Sequence, residues 1–157
     1  MDALRSGVCH PQVLAVGEIG LDKLAEAPMQ EQEEAFALQL RIAAEAGKPV
    51  IIHLVRAWDR LLLLKKSVPQ VTCIIHGFRG KAQLAEELVR HGFCLSFGPK
   101  FQADALRAVP HNRLFMETDE SRLPITEVYR RAVAALGMPE EKLCDTVAEN
   151  VERVFFG

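Results

Sequence analysis

Five side chains able to hold a metal ion or carry a proton follow short apolar runs in this chain. Glu18 follows "VLAVG" (13–17), His53 follows "PVII" (49–52), His76 follows "VTCII" (71–75), and Glu117 and Asp119 follow "RLFM" (113–116). A single histidine after a strand is most often a hydrogen-bonded loop residue, and an acid there is often the N-cap of the next helix. Those separate explanations leave the set unexplained, because four of five apolar runs end in histidine or carboxylate while their interiors are uncharged. Imidazole nitrogen together with carboxylate oxygen is the donor set of a borderline divalent ion such as zinc, manganese or magnesium. The fifth run, "FCLSF" (93–97), ends in "GPK" and offers no such ligand.

For these residues to meet, the runs must be parallel strands whose C-terminal ends share one rim. The intervening segments support that arrangement. In "MQEQEEAFALQLRIAAEAG" the residues Phe36, Leu40, Ala43 and Ala44 form one stripe and Gly47 stops the helix. "KAQLAEELVRHG" places Leu84, Leu88 and Val89 inward before Gly92. Pro124 opens a helix with the stripe Ile125, Val128, Tyr129, Ala132 and Leu136, ended by Gly137. Pro139 opens a last helix with Leu143, Val147, Val151 and Val154 on one side. Strand, helix, strand in alternation means βαβ units, and strands that are almost continuously apolar are covered on both faces. The fold class is α/β with a parallel sheet.

A chain of 157 residues suits one domain and not two sizeable ones. With 49% hydrophobic and 25% charged residues it is a globular sequence, not a disordered one. The net charge of −2 provides no global attraction to polyanions, so a nucleic-acid ligand would need a local basic patch. The four cysteines contain no C-x-x-C pair, which suits neither a disulfide framework nor a zinc knuckle and is consistent with a reducing cytoplasm. Cys73 and Cys94 lie in apolar runs and read as core thiols. No dinucleotide fingerprint, Walker A motif or G-x-S-x-G elbow is present, and Ser96 reads as structural. The longest apolar run, "LVRAWDRLLLL", is broken by three charges, so a cytoplasmic protein without a membrane segment is expected. Trp58 within it reads as a core aromatic on a helix face in preference to a base-stacking platform.

Four stretches in order, "AVGEIGLD", "KPVIIH" with Arg56, "IIHGFRG" and "LFMETDES", resemble the TatD family of metal-dependent hydrolases. The resemblance covers essentially the whole chain. It implies a (β/α)₈ barrel fold with a site for two divalent ions (zinc, magnesium or manganese) and phosphodiester hydrolysis in DNA, including 3′-end exonuclease action. By that resemblance Glu18 bridges both ions, and His53 and His76 complete the second. Asp119 binds the first ion and handles the proton of the attacking water, which makes Glu18 and Asp119 the catalytic pair. Two such ions about 3.5–4 Å apart generate hydroxide near neutral pH and stabilise charge on the attacking and leaving oxygens. Arg56, Arg79 and Lys81, just past the strand ends, are candidate holders of substrate phosphate.

The family begins with a strand ending in H-x-H, whose histidines bind the first ion, and this chain contains no H-x-H. Its five strands resemble barrel strands four to eight. The expectation is therefore a partial (β/α)₈ barrel of about five parallel βα units, truncated at its N-terminus, forming a single domain over 1–157. Five strands cannot close the barrel, so two sheet edges would be free for self-association. One ion, held by Glu18, His53 and His76, is expected to bind moderately, and the other, left with Glu18 and Asp119, weakly. The expected substrate is a DNA 3′ end or a small phosphodiester. A hydrolase of small amides or esters on the same site, and a non-catalytic remnant or interaction protein, are the alternatives.

Overall fold

The computed structural model describes residues 2–157. Helix α1 (Asp2–Gly7) leads into β1 (Val16–Asp22), α2 (Met29–Glu45), β2 (Val50–Val55), α3 (Trp58–Lys65) and β3 (Cys73–Ile75). Then follow α4 (Ala82–Arg90), β4 (Cys94–Phe97), α5 (Ala103–Ala108), a 3₁₀ turn (His111–Arg113), β5 (Leu114–Met116), α6 (Ile125–Leu136) and α7 (Glu140–Val151). The five strands lie in chain order in a parallel sheet, so the α/β class and the five βα units expected from the sequence are present. A complete barrel of this type has eight strands. No helix among the described residues is long and apolar enough to cross a membrane. The chain divides into two compact units, the first ending at Ile74 and the second running Ile75–Gly157.

In the first unit, β1 pairs with β2 through Ile19↔Ile52, Gly20↔His53 and Leu21↔Leu54, with a register shift between Val16 and Ile19. The shift takes in Gly17 and Glu18, and such irregularities re-aim side chains. Leu21, Ile52, Phe36, Leu40 and Leu61 are fully buried here. Each such side chain contributes roughly 1.5–3 kcal/mol by leaving water. Two boundaries differ from the sequence reading. Strand β1 runs to Asp22 and β2 to Val55, so Glu18 and His53 lie within strands and not after them. Counting apolar residues ends a strand at its first charge, whereas the exposed side of β1 tolerates Gly17 and Glu18 between buried Val16 and Ile19. Helix α3 begins at Trp58, a residue 42% exposed, which corrects its reading as a core residue. On α2 the buried set is Phe36, Leu40, Ile42 and Ala43, so Ile42 takes the place expected for Ala44.

In the second unit, β4 pairs with β5 through Leu95↔Leu114, Ser96↔Phe115 and Phe97↔Met116. Pairing continues beyond the strand ends: Phe78 N–H donates to the Ser96 carbonyl at 2.9 Å and Glu117 N–H to the Phe97 carbonyl at 3.1 Å. The residues around His76 and Glu117 thus inherit the rigidity of β4. Phe93, Leu95, Phe97, Leu88 and Leu106 are fully buried, as are the thiols Cys73 and Cys94 in the two units. Gly137 closes α6 at φ +66°, a left-handed conformation that glycine adopts without steric cost. Ile125, expected in the buried stripe of α6, is 40% exposed because it begins the helix before the stripe turns inward at Val128. Asn150 on α7 is buried and donates from Nδ2 to the carbonyls of His111 (2.7 Å) and Leu114 (2.8 Å), which fixes the start of β5.

Candidate metal centre

Glu18 and His53 occupy the first unit on adjacent strands. Gly20 stands opposite His53, and a Cβ there would lie 1.9 Å from the His53 carbonyl oxygen, so only glycine permits this approach of the two backbones. The ligand atoms of Glu18 and His53 come within 4.8 Å of each other. Asp22 was not singled out in the sequence, yet its Oδ2 stands 3.7 Å from His53 Nε2. Gln32 holds the Asp22 backbone at both ends, accepting from its N–H at 2.7 Å and donating to its carbonyl at 3.0 Å. Arg56, past the end of β2, is exposed and adopts a left-handed φ of +54°.

In the second unit, His76 follows β3 directly, as expected, and Glu117 and Asp119 follow β5. The ligand atoms of all three lie within 4.8 Å of one another. His76 Nδ1 is 3.6 Å from Glu117 Oε1, and the same oxygen accepts the Gly77 N–H at 2.7 Å. The amide thus fixes the Glu117 carboxylate beside the imidazole. The sequence marks Glu117 as a strand-end carboxylate able to hold a metal; its hydrogen bond to Gly77, forty positions earlier in the chain, is a tertiary fact. Asp119 sits in a tight turn closed by Ser121 N–H to the Thr118 carbonyl at 3.0 Å, with φ at +50°. Few residues other than Gly, Asn and Asp accept that conformation. Asp119 is exposed, and its carboxylate lies within reach of the His76 and Glu117 ligand atoms.

These residues fit a divalent ion. Ligands at about 2.0–2.2 Å from one ion stand roughly 3–4.4 Å from each other, so the nitrogen and two carboxylates need only a small closing movement. A cleft of about 290 Å³ adjoins them, lined by Gly77, Arg79, Gly98, Lys100, Glu117 and Asp119 among others. Of the cations expected to hold phosphate, Arg79 lines this cleft. Lys81 is exposed at the N-cap of α4 and is not part of the lining.

The family model for TatD-related DNases matches residues 1–156. This chain belongs to that family. It is 34% identical over 120 residues to an uncharacterized metal-dependent hydrolase, YabD, of Bacillus subtilis (strain 168), covering 70% of this chain and 47% of that protein. It is also 34% identical over 131 residues to the 3′-5′ ssDNA/RNA exonuclease TatD of Musicola paradisiaca (strain Ech703), covering 74% and 48%. The crystal structure of YjjV, a TatD homolog from Escherichia coli K12, superposes with a TM-score of 0.88 at 26% identity, over 99% of this chain and 70% of that one. The chain spans about half the length of the curated relatives it matches.

Proposed function

We propose that residues 1–157 form a single TatD-type hydrolase domain that cleaves phosphodiester bonds at the 3′ ends of single-stranded nucleic acid with the help of divalent metal ions. The observation that carries this reading is the grouping of His76, Glu117 and Asp119, with ligand atoms within 4.8 Å, beside a cleft that also holds Arg79. Glu18 and His53 of the first unit and His76 and Asp119 of the second serve as metal ligands, with zinc, magnesium and manganese as the ions that suit imidazole and carboxylate. Two ions, when bound, supply an acidified water and neutralise charge on the phosphate oxygens. Asp119 accepts the proton of that water. Glu117, fixed by the Gly77 N–H, orients His76 and adds a carboxylate to the same centre. Arg56, Arg79 and Lys81 attract the polyanionic substrate. The four free cysteines among the described residues agree with work in the cytoplasm.

The test is hydrolysis of a 3′-labelled single strand by the purified chain with manganese, zinc or magnesium, alongside a panel of small esters and amides. The expected result is metal-dependent loss of 3′ nucleotides that EDTA and His76→Ala both abolish. Turnover confined to the small esters would assign the site to the other substrate class. A chain that retains no ion and hydrolyses nothing, self-associated or monomeric, would overturn the enzymatic reading.

A further inference from the structure

The cleft of the second unit holds two cations of different fates from their neighbours. Arg90, Arg107, Arg130 and Arg131 of this unit are each paired with a carboxylate on their own helix. Arg79 and Lys100 are both exposed in the cleft lining, and among the described residues neither forms an ion pair. Their backbones, by contrast, are firmly held. Gly98, Pro99, Lys100 and Phe101 make a tight turn closed by Phe101 N–H to the Gly98 carbonyl at 3.2 Å, and proline at its second position presets the bend. Arg131 Nη1 reaches the Pro99 carbonyl at 3.5 Å. Beneath the turn, Phe101 packs edge-on against Phe97 (6.4 Å between centroids), and Phe97 against Phe78 (5.7 Å). Gln102 Nε2 donates to the Arg79 carbonyl at 2.7 Å, tying the segment after the turn to the one that bears Arg79.

We propose that Arg79 and Lys100 form a two-point clamp for a second phosphate of the substrate strand, next to the phosphate at the metal centre. The clamp rests on the nuclease reading above and extends it. Lys100 is the new member, in the turn that follows β4, the strand whose end offers no metal ligand. The chemistry divides the cleft. With Glu117 and Asp119 given to a divalent ion, Arg79 and Lys100 outweigh the one remaining carboxylate of the lining, Glu120, in a space of about 290 Å³. That volume is at the lower end for small-ligand sites and holds about one nucleotide. A guanidinium takes phosphate oxygens in a fork and an ammonium adds a point charge, so the pair accepts one phosphodiester without reading a base. Held backbones confine the ordering cost of binding to the two side chains. A strand too short to carry a second phosphate leaves the clamp unused, so recognition of longer strands over mononucleotide esters is built into this turn.

The experiment measures binding of a fluorescein-labelled, phosphorothioate-linked oligothymidylate to the full chain with magnesium, by anisotropy across a salt series. Lys100→Gln and Arg79→Gln should each weaken binding about 5–10-fold at low salt. The double variant should also flatten the plot of log affinity against log salt by roughly 0.7, the share of one phosphate contact on a single strand, and each single variant by part of that. Lys100→Arg should restore both quantities, and unchanged melting temperatures would establish that the variants are folded. Unchanged slopes in both glutamine variants would overturn the clamp whatever hydrolysis shows. A flattened slope in a chain that never hydrolyses the unmodified strand would support the clamp and overturn the nuclease reading instead.

Discussion

Replacing Asp119 with glycine and, separately, with alanine should separate the conformational cost of its turn from its role as a ligand. Its φ of +50° is a conformation in which a Cβ crowds the following carbonyl. For an ordinary L residue the cost is roughly 1–2 kcal/mol. Alanine keeps that cost, whereas glycine escapes it but gains freedom in the unfolded chain worth about 0.4–1 kcal/mol. The difference leaves the glycine variant ahead by roughly 0.5–1 kcal/mol, or about 1–4 °C in melting temperature for a domain of this size. Both variants lose the carboxylate, so both should lose the share of zinc stabilisation that the His76, Glu117 and Asp119 group supplies, about 2.7 kcal/mol for one site at hundredfold excess over Kd. Thermal melts followed by circular dichroism, with and without zinc, read both quantities from one set of samples. Metal-free alanine and glycine variants melting together would remove the strained turn from the account. A full zinc shift in either variant would show that Asp119 is no ligand.

Glu117→Gln keeps an oxygen for the Gly77 N–H but removes the charge, so zinc affinity measured by calorimetry should fall about 10–100-fold while the metal-free melt stays in place. Asn150→Ala strips the amide from two carbonyls at the start of β5 and should cost about 2–3 kcal/mol in urea unfolding, without altering the cleft residues themselves. The carboxyl of Glu127 is held down at about 2 by hydrogen bonds from the guanidiniums of Arg130 and then Arg131. Because its folded value lies below its unfolded one, about 4.3, the stabilisation is complete above that unfolded value and disappears as pH falls toward 2. A carbon-detected NMR titration placing Glu127 in the ordinary carboxylate range would contradict this, and salt should weaken the effect because both guanidiniums are open to solvent.

The sequence by itself determined the number and order of the strands, the glycines that stop α2, α4 and α6, and the chemistry at the strand ends. Burial of apolar residues is a local, periodic demand, and it is legible wherever a strand is covered on both faces or a helix on one. Family membership was legible for the same reason: four short motifs lie each within a few consecutive residues. The exact extent of β1 and β2 was not, because a strand with an exposed stretch tolerates Glu18 and His53 in its interior. The exposure of Trp58 and Ile125 was likewise hidden, since periodicity does not say where a helix begins to meet the core. The tertiary structure alone decided the surroundings of Glu117 and Lys100. A carboxylate fixed by the Gly77 amide, and a turn tied by Gln102 to the backbone of Arg79, join residues separated by 40 and 23 positions. Such pairings depend on which strand ends lie side by side, and no local pattern in the sequence encodes that.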